Sequence, residues 1–307
     1  MSLETDLLLD RRRLKRRLFF WRSFAVLAAL AAVLVVLRGE HVGFGRSHVA
    51  RLTVSGIISD DRKLDEAVTK LADNVNVKAL IVAIDSPGGS VAGGEGLHDA
   101  IARVAEKKPV VAVMGGVAAS AGYMIAVPAA RIFAREATLT GSIGVLLETG
   151  EVSGLLKSIG VNAEAITSGP LKDQPSFTKP LSPQGRDVLQ GLVMDMYDQF
   201  VGMVVSGRHM DDARVRELAD GRAYTGRQAL KLGLVDAIGG EQDARLWLAQ
   251  QKSISADLPV EDVTTSGLAS RAFSSSLGWM FDALWKSLFP QGVMLDGTRL
   301  LWQRFGG

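Results

Sequence analysis

The chain has 307 residues, no cysteine and only four histidines, and aromatic residues make up 6% of it. Without cysteine it can form no disulfide, although this does not decide between a cytosolic and an exported protein. The formal net charge of +2 is close to balance and is no general signature of nucleic-acid binding. With 47% hydrophobic residues, the chain can bury a substantial core, so it is not a disordered protein.

Positive charge is concentrated near the N-terminus, where six basic residues between positions 11 and 17 precede a 20-residue apolar run (18–37). At about 1.5 Å per residue, a helix of this length crosses a hydrocarbon core of about 30 Å. A cleaved signal peptide is the alternative, but the run ends in Val33–Leu37 without a small-residue cleavage site. We therefore expect, by the positive-inside rule, a basic cytoplasmic tail (1–17), a transmembrane anchor (18–38) in the inner membrane and an extracytoplasmic linker (39–48).

Strand and helix patterns alternate after the linker. Period-two or continuous apolar runs predict strands, and amphipathic periodicity predicts helices between them. Short alternating units of this kind indicate an α/β fold with parallel strands flanked by helices. The predicted strands are 49–58, 78–85 and 109–115, and the predicted helices are 61–74 and 95–108.

The second half of the predicted domain begins with a long helix at 182–209, followed by a turn, a helix and a closing strand within 217–240. We place the domain at 49–252 and a C-terminal extension at 253–307, which begins as a loosely packed linker rich in Ser, Thr and Ala. Residues 277–290 of the extension are amphipathic. They either pack on the domain or a neighbouring subunit, or lie on the bilayer.

One serine, Ser120, stands in an otherwise small and apolar stretch, "GGVAASAGYMIAVPA" (115–129). It follows a predicted strand and precedes a predicted helix, where a hydroxyl lies near free backbone donors. The alternative role is a helix N-cap. A serine is a weak nucleophile at neutral pH, so a catalytic role requires a base from elsewhere in the chain.

The candidate bases are few. No histidine occurs between residues 99 and 208, which makes a Ser-His-Asp triad hard to assemble, although His98 or His209 could fold back. Lysine can serve if burial lowers its pKa from about 10.4 toward neutrality. The lysines that follow Ser120 and precede the long helix are Lys157, Lys172 and Lys179, each of which could equally be a solvated surface residue.

A glycine-rich segment, "DSPGGSVAGGEG" (85–96), connects the second predicted strand to a helix. Glycines there can turn main-chain N–H groups toward a ligand. A plain strand-to-helix turn is the alternative. A phosphate loop is disfavoured because no Gly-Lys-Ser/Thr follows.

Taken together, five motifs resemble the signal peptide peptidase A family in its short, membrane-anchored form. They occur in the family's order between about residues 50 and 245: "DSPGGSV", "GGVAASAGYMIA", "LTGSIGVL", "SGPLKD" and "ADGRAYTGRQALKLGLVDAIGG". The resemblance implies a Clp-protease/crotonase-like fold of repeated strand-helix units, preceded by one transmembrane helix. It also implies a Ser/Lys dyad with Ser120 as nucleophile and Lys172 as general base.

Three further residues acquire roles from the same resemblance. Ser142 matches a serine that holds the lysine amine in place, Gly89 matches a main-chain donor of the oxyanion hole, and Gly88 is its neighbour in that hole. The "DGRAYTG" motif (220–226) is assigned no chemistry. A second glycine pair, Gly93 and Gly94, stands where family members often have larger residues, and we expect it to widen that wall of the groove.

The resemblance implies a membrane-anchored serine endopeptidase that cleaves remnant signal peptides and similar apolar peptides through an acyl-enzyme. We expect a homo-oligomer that uses no cofactor or metal and binds no nucleic acid. Two alternatives on the same fold are a crotonase-type acyl-CoA enzyme and a non-catalytic scaffold.

Overall fold

The computed structural model describes residues 20–24, 26–27 and 46–264. The predicted basic tail (1–17) and the amphipathic segment (277–290) lie outside these residues, as do most of the predicted anchor and linker. Within the described ranges, no helix combines the length and apolar character that crossing a bilayer requires.

Strands and helices alternate along the described part, as the sequence predicts. The strands are β1 (His48–Ile58), β2 (Val77–Gly89), β3 (Val110–Ala119), β4 (Arg131–Ala134), β5 (Leu139–Gly141), β6 (Ala223–Thr225), β7 (Ala237–Ile238) and β8 (Val260–Asp262). The helices are α1 (Arg62–Leu71), α2 (Val91–Ala105), α3 (Ala121–Met124), α4 (Ser153–Ser158), α5 (Pro183–Arg208), α6 (Asp212–Leu218), α7 (Gly226–Leu232) and α8 (Glu241–Lys252).

These strands form one sheet in the order β6-β5-β3-β2-β1-β8, with β4 pairing β3 and β7 beside that path. All pairs are parallel except β5 with β6. Parallel strands need helical crossovers, which cover the faces of the sheet. The expected α/β architecture of parallel strands flanked by helices is therefore confirmed.

The core lies on both faces of the sheet. The larger cluster packs one face against most of the helices, including α2 and α5, and contains Leu52, Leu97 and Phe200. The smaller cluster packs the other face against α8 through Ala244 and Leu248. Alternate residues of a strand point to opposite faces, which is how β1 and β2 contribute to both clusters.

The long helix α5 has two different halves. Ser182 caps its start by accepting a hydrogen bond from the Gly185 N–H at 3.0 Å, and the helix ends at His209 in a left-handed conformation. Its buried apolar residues, Phe200, Val201 and Val204, all lie in the C-terminal half. The N-terminal half is therefore only partly covered by the rest of the chain.

The folded domain extends beyond residue 252, where the sequence predicted its end. Strand β8 pairs parallel with β1, and the Arg51 guanidinium Nε donates to Asp262 at 2.7 Å. Leu258 and Val260 pack against the smaller core cluster. Residues 253–263 thus belong to the folded sheet, because this short strand satisfies the open edge of β1.

Candidate active site

Ser120 occupies a sharp turn between β3 and α3. Its φ of 54° is left-handed, a conformation that non-glycine residues rarely adopt and that costs free energy. Its N–H donates to the Gly141 carbonyl at 2.9 Å, and its carbonyl accepts from the N–H groups of Tyr123 and Met124. The Ser120 side chain forms no capping hydrogen bond, so its hydroxyl is not used as the predicted alternative, a helix N-cap.

Gly88, at the end of β2, packs directly against this turn. Its φ is +117°, and a β-carbon there would lie 2.8 Å from Ser120 Cβ and 3.2 Å from Ser120 Oγ. The Gly88 N–H donates to the Ser86 hydroxyl oxygen at 3.1 Å. Gly88 therefore provides the space that Ser120 occupies, and its N–H already has a partner.

The next residue, Gly89, faces an open cavity. A β-carbon at Gly89 would lie 1.8 Å from the Ile58 carbonyl oxygen, so only glycine allows β1 and β2 to approach this closely. Gly89 and Ser120 line the same cavity, which has a volume of about 640 Å³. The predicted oxyanion donor and the predicted nucleophile are thus brought to one site.

The second glycine pair, Gly93 and Gly94, packs away from this cavity. Both are buried in α2. A β-carbon at Gly94 would lie 2.9 Å from both Ala121 Cβ and Met124 Sδ. Gly94 thus lets α2 pack against the helix that follows Ser120, and Gly93 packs on the backbone of Ser59 and Asp60. Neither glycine lines the cavity that the sequence led us to expect them to widen.

Ser142 reaches the cavity through a second left-handed turn. Its φ is 49°, and its N–H donates to the Arg222 carbonyl at 2.9 Å, which continues the antiparallel pairing of β5 with β6. Ser120, Ser142 and Gly89 all line the cavity. Three separate motifs of the sequence therefore meet there.

The cavity wall combines apolar and polar groups. Val193, Met194 and Tyr197 of α5 and Leu146 of the segment after Ser142 form an apolar part of it, and Ser142, Gln190 and Asp220 add polar groups. The apolar part suits an apolar side chain better than a charged one.

Sequence reasoning missed one cavity residue. Asp220 is the only charged group among the described residues that line the cavity. Its carboxylate accepts hydrogen bonds from the Arg222 guanidinium and backbone N–H, and the guanidinium, as the larger cause, lowers the pKa of Asp220. Asp220 begins the motif "DGRAYTG", which could have pointed to it. The sequence alone did not reveal that this motif pairs antiparallel with the segment that carries Ser142.

The predicted bases lie elsewhere. Lys172 is exposed in a loop after α4, where its backbone N–H donates to the Gly169 carbonyl at 3.2 Å, and it does not line the cavity. Lys157 is exposed on α4, and the Lys179 amine lies 3.6 Å from an Asp173 carboxylate oxygen. Among the residues that the structure describes around the cavity there is no histidine. The structure thus brings Ser120, Ser142 and Gly89 together but leaves the predicted base, Lys172, outside the cavity.

A family model described as peptidase family S49 matches residues 102–255. A provisionally named protease of Synechocystis sp. is 42% identical over 213 residues, covering 69% of this chain and 77% of that protein. The chain belongs to peptidase family S49. It is a serine peptidase, and the resemblance predicted from its motifs is confirmed.

Other S49 relatives carry compatible names. A provisionally named signal peptide peptidase SppA of Enterococcus faecium is 35% identical over 243 residues, covering 74% of this chain and 71% of that protein. Protease 4 of Salmonella typhi is 35% identical over 218 residues, covering 70% of this chain and 35% of that protein. Among solved structures, a ClpP1 mutant from Listeria monocytogenes aligns with a TM-score of 0.42 and 18% identity over 63% of this chain and 92% of that chain.

A Gly88→Ala variant of this S49 peptidase should lose peptidase activity by about 10²-fold, because a displacement of about 1 Å at reacting groups has that effect. The new methyl group would lie only 2.8 Å from Ser120 Cβ and would therefore overlap that side chain. Gly160→Ala is the matched control, since Gly160 also has a left-handed φ, +78°, but open space around it. Peptide hydrolysis rates of the two variants provide the measurement. Equal activities would contradict the steric role of Gly88.

Proposed function

We propose that the chain is a membrane-anchored serine endopeptidase that cleaves remnant signal peptides and similar apolar peptides with a Ser120/Lys172 dyad. The observation that carries the proposal is the Ser120 turn, which lines a cavity beside Gly89 that also has an apolar wall. Ser120 has a strained, left-handed backbone conformation, and its side chain caps no helix. Packing alone gives no reason for such strain. Membership in peptidase family S49 argues against the acyl-CoA alternative.

In the proposed mechanism, Ser120 Oγ attacks the scissile carbonyl carbon while the Lys172 amine accepts the hydroxyl proton. The carbonyl oxygen becomes an oxyanion, which accepts a hydrogen bond from the Gly89 N–H. When the peptide C–N bond breaks, the lysine returns the proton to the leaving amine. Water then attacks the acyl-enzyme and gives a proton to the same amine, which passes it to Ser120 Oγ as the acyl C–O bond breaks, so both groups return to their starting state.

The substrate class follows from the cavity. Val193, Met194 and Tyr197 lie along one wall, and the single carboxylate, Asp220, is already paired with Arg222. An apolar residue of a peptide gains free energy when it leaves water for such a wall, whereas a charged residue loses favourable hydration there. Apolar signal-peptide remnants are therefore the class that this wall favours.

The dyad can be tested with three variants of the purified chain. Ser120→Ala should abolish both fluorophosphonate labelling and cleavage of a synthetic signal peptide, read by mass spectrometry. Lys172→Ala should reduce cleavage by about 10²–10⁴-fold, the usual contribution of a general base. Lys157→Ala is the matched control because that lysine is equally exposed on the same segment, and it should leave cleavage unchanged. A fully active Lys172→Ala variant would exclude the dyad, and a chain that is never labelled would favour the scaffold.

We also propose that copies of the chain associate and thereby cover Lys172. The segment between Ser142 and α5 exposes an unusual number of large apolar side chains, among them Leu146, Leu155, Ile166 and Phe177. Apolar surface of this extent is an aggregation hazard unless a partner covers it. Lys172 belongs to the same exposed segment, so a partner that covered this surface would also bury Lys172.

Leu155→Asp should therefore weaken both association and peptidase activity, since it places a charge in the surface that copies would cover. Val75→Asp is the matched control: Val75 is 77% exposed and Leu155 is 62% exposed, but Val75 lies on the loop between α1 and β2. Light scattering and hydrolysis rates measured on the same samples test this. A monomeric Leu155→Asp variant with full activity would rule out the need for assembly.

The proposed anchor is residues 18–38, with the N-terminus in the cytoplasm and the peptidase domain outside the inner membrane. The basic cluster before the apolar run supports this orientation. A reporter active only in the cytoplasm should be silent when fused after Gly307. The same reporter fused after Arg17 should be active. Activity of the Gly307 fusion would reverse the proposed topology.

A further inference from the structure

Ser86 is a polar residue in the interior that the peptidase mechanism leaves without a role. Its exposed fraction is 0%, and it lies in β2 shortly before the glycines that meet Ser120. Its hydroxyl donates to the Gly56 carbonyl oxygen at 2.6 Å, and its oxygen accepts from the Gly88 N–H at 3.1 Å. One buried hydroxyl therefore joins β1 to the turn that carries Gly88 and Gly89.

The pairing of β1 with β2 explains why a hydroxyl is needed there. Ser55 pairs with Asp85 and Ile57 pairs with Gly88, so one residue of β1, Gly56, lies opposite two residues of β2. This is a β-bulge, in which backbone groups lose their regular ladder partners. Pro87, the second of the two, has no N–H to offer. The Ser86 side chain replaces the missing ladder bonds at the Gly56 carbonyl and the Gly88 N–H.

The backbone of Ser86 also lies close to α3, the helix that follows Ser120. A β-carbon at Gly122, in the helix that follows Ser120, would lie 2.8 Å from the Ser86 carbonyl oxygen. The backbone of Ser86 therefore packs on α3 while its side chain holds the loop of Gly88 and Gly89. Ser86 itself does not line the cavity, so it can act on substrate only through its neighbours.

We infer that Ser86 is a positioning residue that holds the Gly89 N–H in line with the oxyanion that Ser120 creates. This inference rests on the proposed peptidase mechanism. It adds to that mechanism a residue to which the motifs assign no role. Preorganised donors stabilise a transition state because they need no reorganisation when charge develops. A glycine-rich turn has little stiffness of its own, so its direction depends on the hydrogen bonds that Ser86 provides.

The test is Ser86→Ala in the full chain, which removes only the hydroxyl oxygen. We expect kcat to fall by about 10²-fold, the effect of a displacement of about 1 Å, while KM changes less than about threefold. A peptide boronate, which forms a tetrahedral adduct with Ser120, should lose affinity by a factor similar to that for kcat. A product peptide whose C-terminal carboxylate is replaced by an amide, which places no charge in the oxyanion hole, should bind as before.

Thr138→Val is the matched control. Thr138 is equally buried, and its hydroxyl likewise donates to one backbone carbonyl, Gly115, and accepts from one N–H, Arg135, but it does not line or adjoin the cavity. Both variants should lower the thermal unfolding temperature, and only Ser86→Ala should lower kcat and boronate affinity. If Ser86→Ala does not fold, Ser86→Cys replaces it, because a thiol has a similar shape but hydrogen-bonds weakly.

Three outcomes separate the possibilities. A loss of kcat and boronate affinity beyond that of Thr138→Val supports the positioning role. Unchanged kcat in the Ser86 variant, or an equal loss of product-peptide affinity, overturns it while leaving the peptidase intact. Failure of the unmodified chain to cleave any apolar peptide overturns the proposed function, and with it the inference.

Discussion

The close approach of the ends of β2 and β3 is the constraint on which the rest of the site depends. At Gly88 and Gly89 there is no room for a β-carbon, because Ser120 and the Ile58 carbonyl occupy that space. A protein interior is close-packed, so a β-carbon added at either position could be accommodated only by moving a strand. The parallel sheet and its buried helices hold the two strand ends in place. They therefore hold Ser120 in a backbone conformation that it would not adopt alone.

This constraint divides the site into two parts with different physical character. Ser120, Gly89 and Ser142 are carried by strands of one sheet, and hydrogen bonds between neighbouring strands hold their turns. Lys172 belongs to a segment that has little regular structure and many exposed apolar side chains. The first part is complete within a single copy of the chain. The second exposes apolar side chains that the proposed association of copies would cover.

Much of the fold followed from periodicity, and the nucleophile turn followed from motifs. Strands β1 to β3 and helix α5 lie where their apolar patterns predicted, because buried strands and long helices leave strong signals. Strand β8 was missed because three residues give too short a pattern. The sequence also could not predict that the Gly88 N–H donates to the Ser86 hydroxyl, because this hydrogen bond depends on a bulge between β1 and β2. Asp220 was missed for a related reason: its place beside Ser142 arises from pairing between distant segments.

The same reasoning explains why small residues surround Ser120. Gly88, Gly94 and Gly122 each meet a different neighbour of the turn, and a β-carbon at any of them would come within 3 Å of another atom. Glycine is entropically costly in strands and helices, but at these three positions a larger residue would force apart the elements that pack around the Ser120 turn. These glycines let β2, α2 and α3 pack closely around the turn that carries Ser120, at the edge of the cavity that Ser120 and Gly89 line. The proposed oxyanion hole depends on this close approach, because a backbone N–H stabilises an oxyanion only within hydrogen-bonding distance of it.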